Sequence, residues 1–166
     1  MPNWVTNKWL IIGDTDDIKQ IRTIMASDYT EDGITFDKLI PMPDVISKLS
    51  TGFTDIDGEK VSRWVEFDSG AGKILKRKIT EEEHRLIEKT GYADWHDWSV
   101  GNWGTKWDAS HSHMSILNAT TLRMEFDTAW APPEPVIVEL TRRFPKVTIS
   151  AKWRDEMDDE GEWKEL

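Results

Sequence analysis

The sequence predicts an α+β fold in which an antiparallel sheet carries helices on one face. Three observations lead there. Two stretches near the end alternate cleanly between apolar and polar residues, the mark of strands buried on one side only. Two helices begin at recognisable caps. The elements run strand, helix, strand, then a long insertion, then strand, helix, strand.

The first strand is Trp4 to Ile12, rich in aromatic and aliphatic residues and ended by Gly13. Asp14 then caps a helix, with Asp16 and Asp17 in its first turn, where the helix dipole favours acid. Ile18, Ile21, Ile24 and Met25 form its apolar stripe. Asp32-Gly33 reads as a turn, and residues 34–40 read as a short strand ended by Pro41 and Pro43. Residues 50–79 are weakly patterned, with turns at "TDIDGEK" and "DSGAGK" around strand candidates such as Val61 to Phe67. The glycines of "SGAGK" do not match the spacing of a phosphate-binding loop.

Thr80 to Thr90 reads as a helix: Thr80 and Glu83 have capping-box spacing, Glu81 and Arg85 lie one turn apart, and Gly91 stops it. His84 sits on its exposed side. Another helix starts in "YADWHDWSV" and runs through Trp95 and Trp98 until Gly101 and Gly104 break it. In "TTLRMEFD", Leu122, Met124 and Phe126 share the buried face, and Arg123 and Glu125 take the other. "APPEPVIVELTRRFP" is a helix with prolines at its start, a core stripe of Val136, Ile137, Leu140 and Phe144, and a stop at Pro145. In "KVTISAKW", Val147, Ile149, Ala151 and Trp153 face in, and Thr148, Ser150 and Lys152 face out.

Two split β-α-β units with one-sided strands make a ferredoxin-like α+β sandwich. The expectation is a single domain over residues 1–166 with a tryptophan-rich insertion at about 45–115, between the two halves.

Composition narrows the function classes. Of 166 residues, 38% are hydrophobic and 31% charged, which is polar, but ten tryptophans argue against disorder. No stretch approaches the roughly 18 apolar residues that a membrane helix needs. The start, "MPNWVTNKWLIIGD", lacks the basic and small-residue pattern of a signal peptide. The absence of cysteine removes disulfides and thiolate metal sites and suits a reducing cytoplasm. A net charge of −10 disfavours sequence-independent nucleic-acid binding, which needs Lys and Arg to displace counterions. The acid is densest in "RDEMDDEGEWKEL", where Asp155, Glu156, Asp158, Asp159 and Glu160 form either a solvated hairpin or a surface that competes with nucleic acid for a basic partner.

Four stretches occur together and in order: "MPNWVTN" at 1–7, "IPMP" at 40–43, "NWGTKWDA" at 102–109 and "FDTAWAPPEPVI" at 126–137. Their combination resembles the YubB ferredoxin-like family, small proteins of bacteriophages, prophages and plasmids. The resemblance implies the fold derived above and a mobile-element origin. It implies no reaction. Val5 stands where that family often has a cysteine, and the short acidic segment after Trp153 implies a different last strand.

The densest candidate site is "NWGTKWDASHSH", residues 102–113. Trp95, Trp98, Asn102, Trp103, Lys106, Trp107 and Asp108 have two readings. One is a packing plug with rings in the core and glycine in a tight turn. The other is a pocket wall with Lys106 and Asp108 as convergent polar groups. His111 and His113, with His96, Asp97 or Asp108, could hold a divalent metal; the competing reading is a polar loop. No serine sits in a GxSxG elbow, and no nucleophile stands out. The outward positions Arg123, Glu125, Thr148, Ser150 and Lys152 carry no ring for stacking a base.

The leading expectation is therefore a non-enzymatic cytoplasmic protein, without a cofactor, that binds a host protein or complex; one version is a counter-defence inhibitor of a nuclease or restriction complex. The alternatives are a nucleotide-binding protein using the tryptophan-rich insertion, and a metal-dependent hydrolase built on His96, Asp108, His111 and His113.

Overall fold

A computed structural model describes residues 2–163. In chain order the elements are β1 (Trp4–Ile12), α1 (Thr15–Met25), α2 (Asp44–Ser47), β2 (Leu49–Ile56), β3 (Glu59–Asp68), β4 (Ile74–Lys78) and α3 (Glu81–Thr90). They continue with α4 (Trp95–Trp103), β5 (Ser110–Asn118), β6 (Thr121–Ala129), α5 (Glu134–Arg143), β7 (Thr148–Asp155) and β8 (Glu160–Trp163). The chain divides into two compact units, one of Met1–Pro41 with Ser99–Leu166 and one of Met42–Trp98.

The larger unit holds a five-stranded sheet in the order β5-β6-β1-β7-β8. All its pairings are antiparallel. Strands β1 and β5 flank β6, and β6 and β7 flank β1. This interleaving of β1-α1-β5 with β6-α5-β7 is the ferredoxin-like arrangement, with β8 added beyond β7. The core lies on one face. Val5, Trp9 and Ile11 of β1, Leu122, Met124 and Phe126 of β6, and Ile149 and Ala151 of β7 are buried there. So are Ile18, Ile21 and Met25 of α1 and Val136, Ile137 and Leu140 of α5. Ile24 is only half-buried. Phe126 meets Trp9 edge-on at 4.9 Å and Phe36 at 5.6 Å, and Phe36 meets Trp103 at 6.2 Å. Edge-to-face contacts of this kind add to the area the rings bury.

Two expectations about strands are corrected. Residues 34–40 form no strand beyond one bridge between Ala26 and Ile34. They form a buried loop holding Ile34, Phe36 and Leu39. Its amides are satisfied by other means than a ladder. Ile34 N donates to Ser112 Oγ, Thr35 N to the Met25 carbonyl and Phe36 N to the Asp108 carboxylate. The second strand of the first β-α-β unit is instead β5, in the segment read as a polar loop. β5 buries only Met114, so its side chains carry little strand signal, and the pairing with β6 holds it in place. The inserted residues accordingly lie in the chain between α1 and β5.

The smaller unit contains the three-stranded antiparallel sheet β2-β3-β4 with α2 and α3. Ile46, Leu49, Ile56, Trp64, Val65 and Ile87 are its buried residues of note. The Thr80–Glu83 capping box is formed and Gly91 ends α3 in the left-handed conformation. Gly101, expected to break α4, lies inside it; Gly104, with φ 78°, follows its end.

Candidate functional site

The segment 102–113 does two jobs, and they fall on different residues. Its first half seals the core. Trp103 is 6% exposed, and its indole donates to the Ile40 carbonyl at 3.0 Å. A Cβ on Gly104 would lie 2.6 Å from Pro135 Cδ, so both the positive φ and the close approach require glycine. Thr105 Oγ1 donates to the Ala129 carbonyl. The Asp108 carboxylate accepts from Thr35 Oγ1 at 2.6 Å, from Phe36 N at 2.7 Å and from Ala109 N at 2.7 Å. Burial pushes the Asp108 carboxyl above its usual range, against the downward pull of those hydrogen bonds. Asp108 thus fastens the 34–40 loop. Asn102 borders a shallow groove with Ile40, Pro41 and Pro135.

The second half faces outward. Trp107 is 37% exposed, with Lys106 Nζ 4.8 Å from its ring centroid. Trp4 of β1 lies 6.1 Å from Trp107 and 5.5 Å from the His111 ring, centroid to centroid. Trp4 alternates with buried Val5, so it emerges on the face opposite the core. This corrects the expectation that the outer face lacks an aromatic ring. His111 sits at a register shift in β5 with φ 45°, and its Nδ1 is 3.2 Å from Asp127 Oδ2. Thr6 Oγ1 donates to the other oxygen of the same carboxylate at 2.9 Å. Thr6 therefore donates its hydroxyl proton to Asp127 and not to His111. Trp130, just beyond β6, is 59% exposed with φ 74°, and its amide donates to the Asn3 carbonyl. A left-handed backbone at a bulky residue costs about 1–3 kcal/mol and concentrates at sites that bind or react.

The remaining predicted residues are dispersed. Trp98 is buried, and Trp95 meets His96 at 5.8 Å; both tryptophans stand at the start of α4. The metal set does not assemble as expected. Among the described residues the cluster of ligand atoms is Asp94, His96 and Asp97, without Asp108, His111 or His113. Asp94 already serves as a cap, accepting from Asp97 N, and its second oxygen takes Thr51 Oγ1. His113 is exposed opposite Glu125. In the acidic segment, Asp155 Oδ1 accepts from Met157 N and Asp159 N and so builds the β7–β8 turn; Glu160 pairs with Arg154 at 2.8 Å. Glu156, Asp158 and Asp159 are exposed. The last three residues of that segment lie outside the described residues.

Sequence reasoning missed Trp4, Thr6, Lys8, Asp127 and Trp130. For the first three the signal was present, because residues 4, 6 and 8 alternate with the core residues 5, 7 and 9. Nothing local marks Trp130.

The fold and its one-sided core define a ferredoxin-like α+β protein. Comparison with known proteins agrees. Residues 102–161 match the family model described as a ferredoxin-like domain in Api92-like protein. The whole chain is similar in fold to the crystal structure of a protein api92 from Yersinia pseudotuberculosis, with a TM-score of 0.53 and 11% sequence identity, covering 100% of this chain and 99% of that one. No curated protein matches the chain. Among the described residues no helix is long and apolar enough to cross a membrane.

Proposed function

We propose that this is a non-enzymatic binding protein of a mobile genetic element, similar to the YubB family, that acts in the host cytoplasm by engaging a host protein. The observation that carries this reading is an aromatic corner, the cluster of half-buried Trp4 with Trp107 and His111, together with exposed Trp130, whose amide is bonded to the Asn3 carbonyl next to Trp4. Two of these four residues stand on left-handed backbone, a standing cost that packing does not explain, since both side chains are exposed. Exposed tryptophans of this kind are the residue type that dominates protein interfaces. Trp4, Trp107 and Trp130 also come from three of the four stretches that carry the family resemblance. Inhibition of a nuclease or restriction complex is one form such binding takes.

The test is affinity capture from lysates of several bacterial hosts, followed by titration of the recovered protein against the wild type and a Trp107→Ala/Trp130→Ala variant. The expected result is a partner whose binding the variant loses while its circular dichroism is unchanged. Recovery of nothing above background in every host, or equal binding by the variant, overturns the reading.

A further inference from the structure

The geometry points to a second site beside that corner: a groove on the outer face of the sheet that binds a nucleoside phosphate, with the base on Trp4 and the phosphates at Lys8. The groove measures about 720 Å³, within the usual range for small-molecule sites. It is lined by Trp4, Thr6 and Lys8 of β1, Lys152 and Arg154 of β7, and the acidic groups Asp127, Asp155, Glu156 and Glu160.

The charges of the groove are unequally engaged. Asp127 accepts from Thr6 and lies against His111, Asp155 caps its own turn, and Glu160 takes Arg154. Lys8 has no ion-pair partner among the described residues. It stands between Lys152 on β7, a like charge directly opposite across one ladder, and Glu125 on β6, an opposite charge across the other, with no ion pair formed to either. Lys152 is shared with Glu162 only at 3.5 Å, and Arg154 lies two pairs further along, opposite Thr6. An anion at Lys8 and Lys152 relieves that repulsion and gains charge-assisted hydrogen bonds.

Trp4 lies on the same strand face as Lys8, four residues away, or about 13 Å along the strand. The distance separates a base platform from a phosphate locus. Glu156 lines the Trp4 end and has no side-chain partner among the described residues, so a base with an exocyclic amino group finds an acceptor there. Base–aromatic stacking tolerates any ring but gains most when a phosphate anchors the other end. The same chemistry is offered by a free nucleotide and by the 5′ end of an RNA.

The experiment is calorimetric titration of the full chain with ADP, with a short adenine oligoribonucleotide carrying a 5′-phosphate, and with inorganic pyrophosphate. The expected result is saturable binding of ADP or of the oligomer, at least about tenfold weaker in Lys8→Gln, as loss of one charged contact implies. Trp4→Leu loses it as well, and Lys19→Gln on α1 does not. The preferred ligand of the two says whether the source is free nucleotide or RNA end. If Trp4→Leu fails to fold, Lys8→Gln decides alone, because its side chain is exposed and its melting temperature is expected to hold or rise. No binding at about 1 mM, pyrophosphate binding as tight as ADP, or an unchanged Lys8→Gln affinity overturns the proposal. Trp4 belongs to both surfaces, but the host-protein reading is tested at Trp107 and Trp130, which do not line this groove, so the failure of either reading is read at different residues.

Discussion

Truncating Trp103 tests whether the segment 102–108 is a seal. Its ring is 6% exposed and edge-on to Phe36, which in turn meets Phe126, so removal opens the end of a chain of aromatic contacts. Replacing a buried tryptophan by alanine costs about 3–5 kcal/mol. The Ile40 carbonyl also loses its 3.0 Å donor, which adds roughly 1 kcal/mol. For a chain of this size each kcal/mol moves the melting temperature by about 2–4 °C, so Trp103→Ala is expected to melt at least about 8 °C lower. Trp103→Phe keeps most of the ring and isolates the hydrogen bond, at about 1–2 kcal/mol. Trp107→Ala is the control. Its ring is 37% exposed, so it buries less area than Trp103 and its truncation opens to solvent; the expected cost is about 2 kcal/mol, clearly below that of Trp103→Ala. Scanning calorimetry on the three variants decides. Equal losses for Trp103→Ala and Trp107→Ala, or a Trp103→Ala transition within about 2 °C of wild type, refute the division into an inner seal and an outer surface.

Gly104→Ala is expected to destabilise by about 2 kcal/mol or more, combining a left-handed backbone with a 2.6 Å approach to Pro135, read as a shift of the urea midpoint. Asp108→Ala leaves Phe36 N and Thr35 Oγ1 without their acceptor and is expected to cost about 2–3 kcal/mol, with faster hydrogen exchange at the Phe36 amide as the local readout. The Arg77 guanidinium, helped by the Thr80 amide, holds Glu83 down to about 2, and Arg142 with Arg143 does the same for Glu139. Folded values below the unfolded ones stabilise above the ordinary carboxylate range, and the contribution is lost as pH falls. Stability is therefore expected to decline as pH drops from about 4.5 toward 2, and Arg77→Gln to flatten that decline in urea titrations at stepped pH.

Much of the fold was legible because its signals are local. Asp14 does accept from the amides of Asp16 and Asp17, and Thr80 and Glu83 close their box, since caps are decided within four residues. Strand β1 announced itself by its aromatic and aliphatic content, and β6 by alternation, as did β7 up to Trp153, whose ring is only half-buried beside Trp163. The failures are non-local. Residues 34–40 look like a strand because they are apolar, yet the groups that satisfy them, Asp108 and Ser112, are 72 and 78 residues away. β5 looks like a loop because an edge strand with one buried side chain has no pattern to display. At the candidate site, Trp103 and Trp107 are alike in sequence, and only the tertiary fold makes one a seal and the other a surface.

The two flanks of the five-stranded sheet bear on how copies of the chain treat each other in a crowded cell. On one flank β5 breaks register twice, between Ser110 and His113 and between Ile116 and Asn118. On the other, β8 is four residues long and carries Glu160 and Glu162. Irregular, short and charged borders are what keep open sheets from zipping together edge to edge. His111, at the first of those irregularities, thus belongs both to the aromatic corner and to the break in the ladder. Straightening β5 at His111 would hand the next molecule a longer run of unpaired amides, so the same irregularity that turns the His111 ring toward Trp4 also blunts this edge of the sheet.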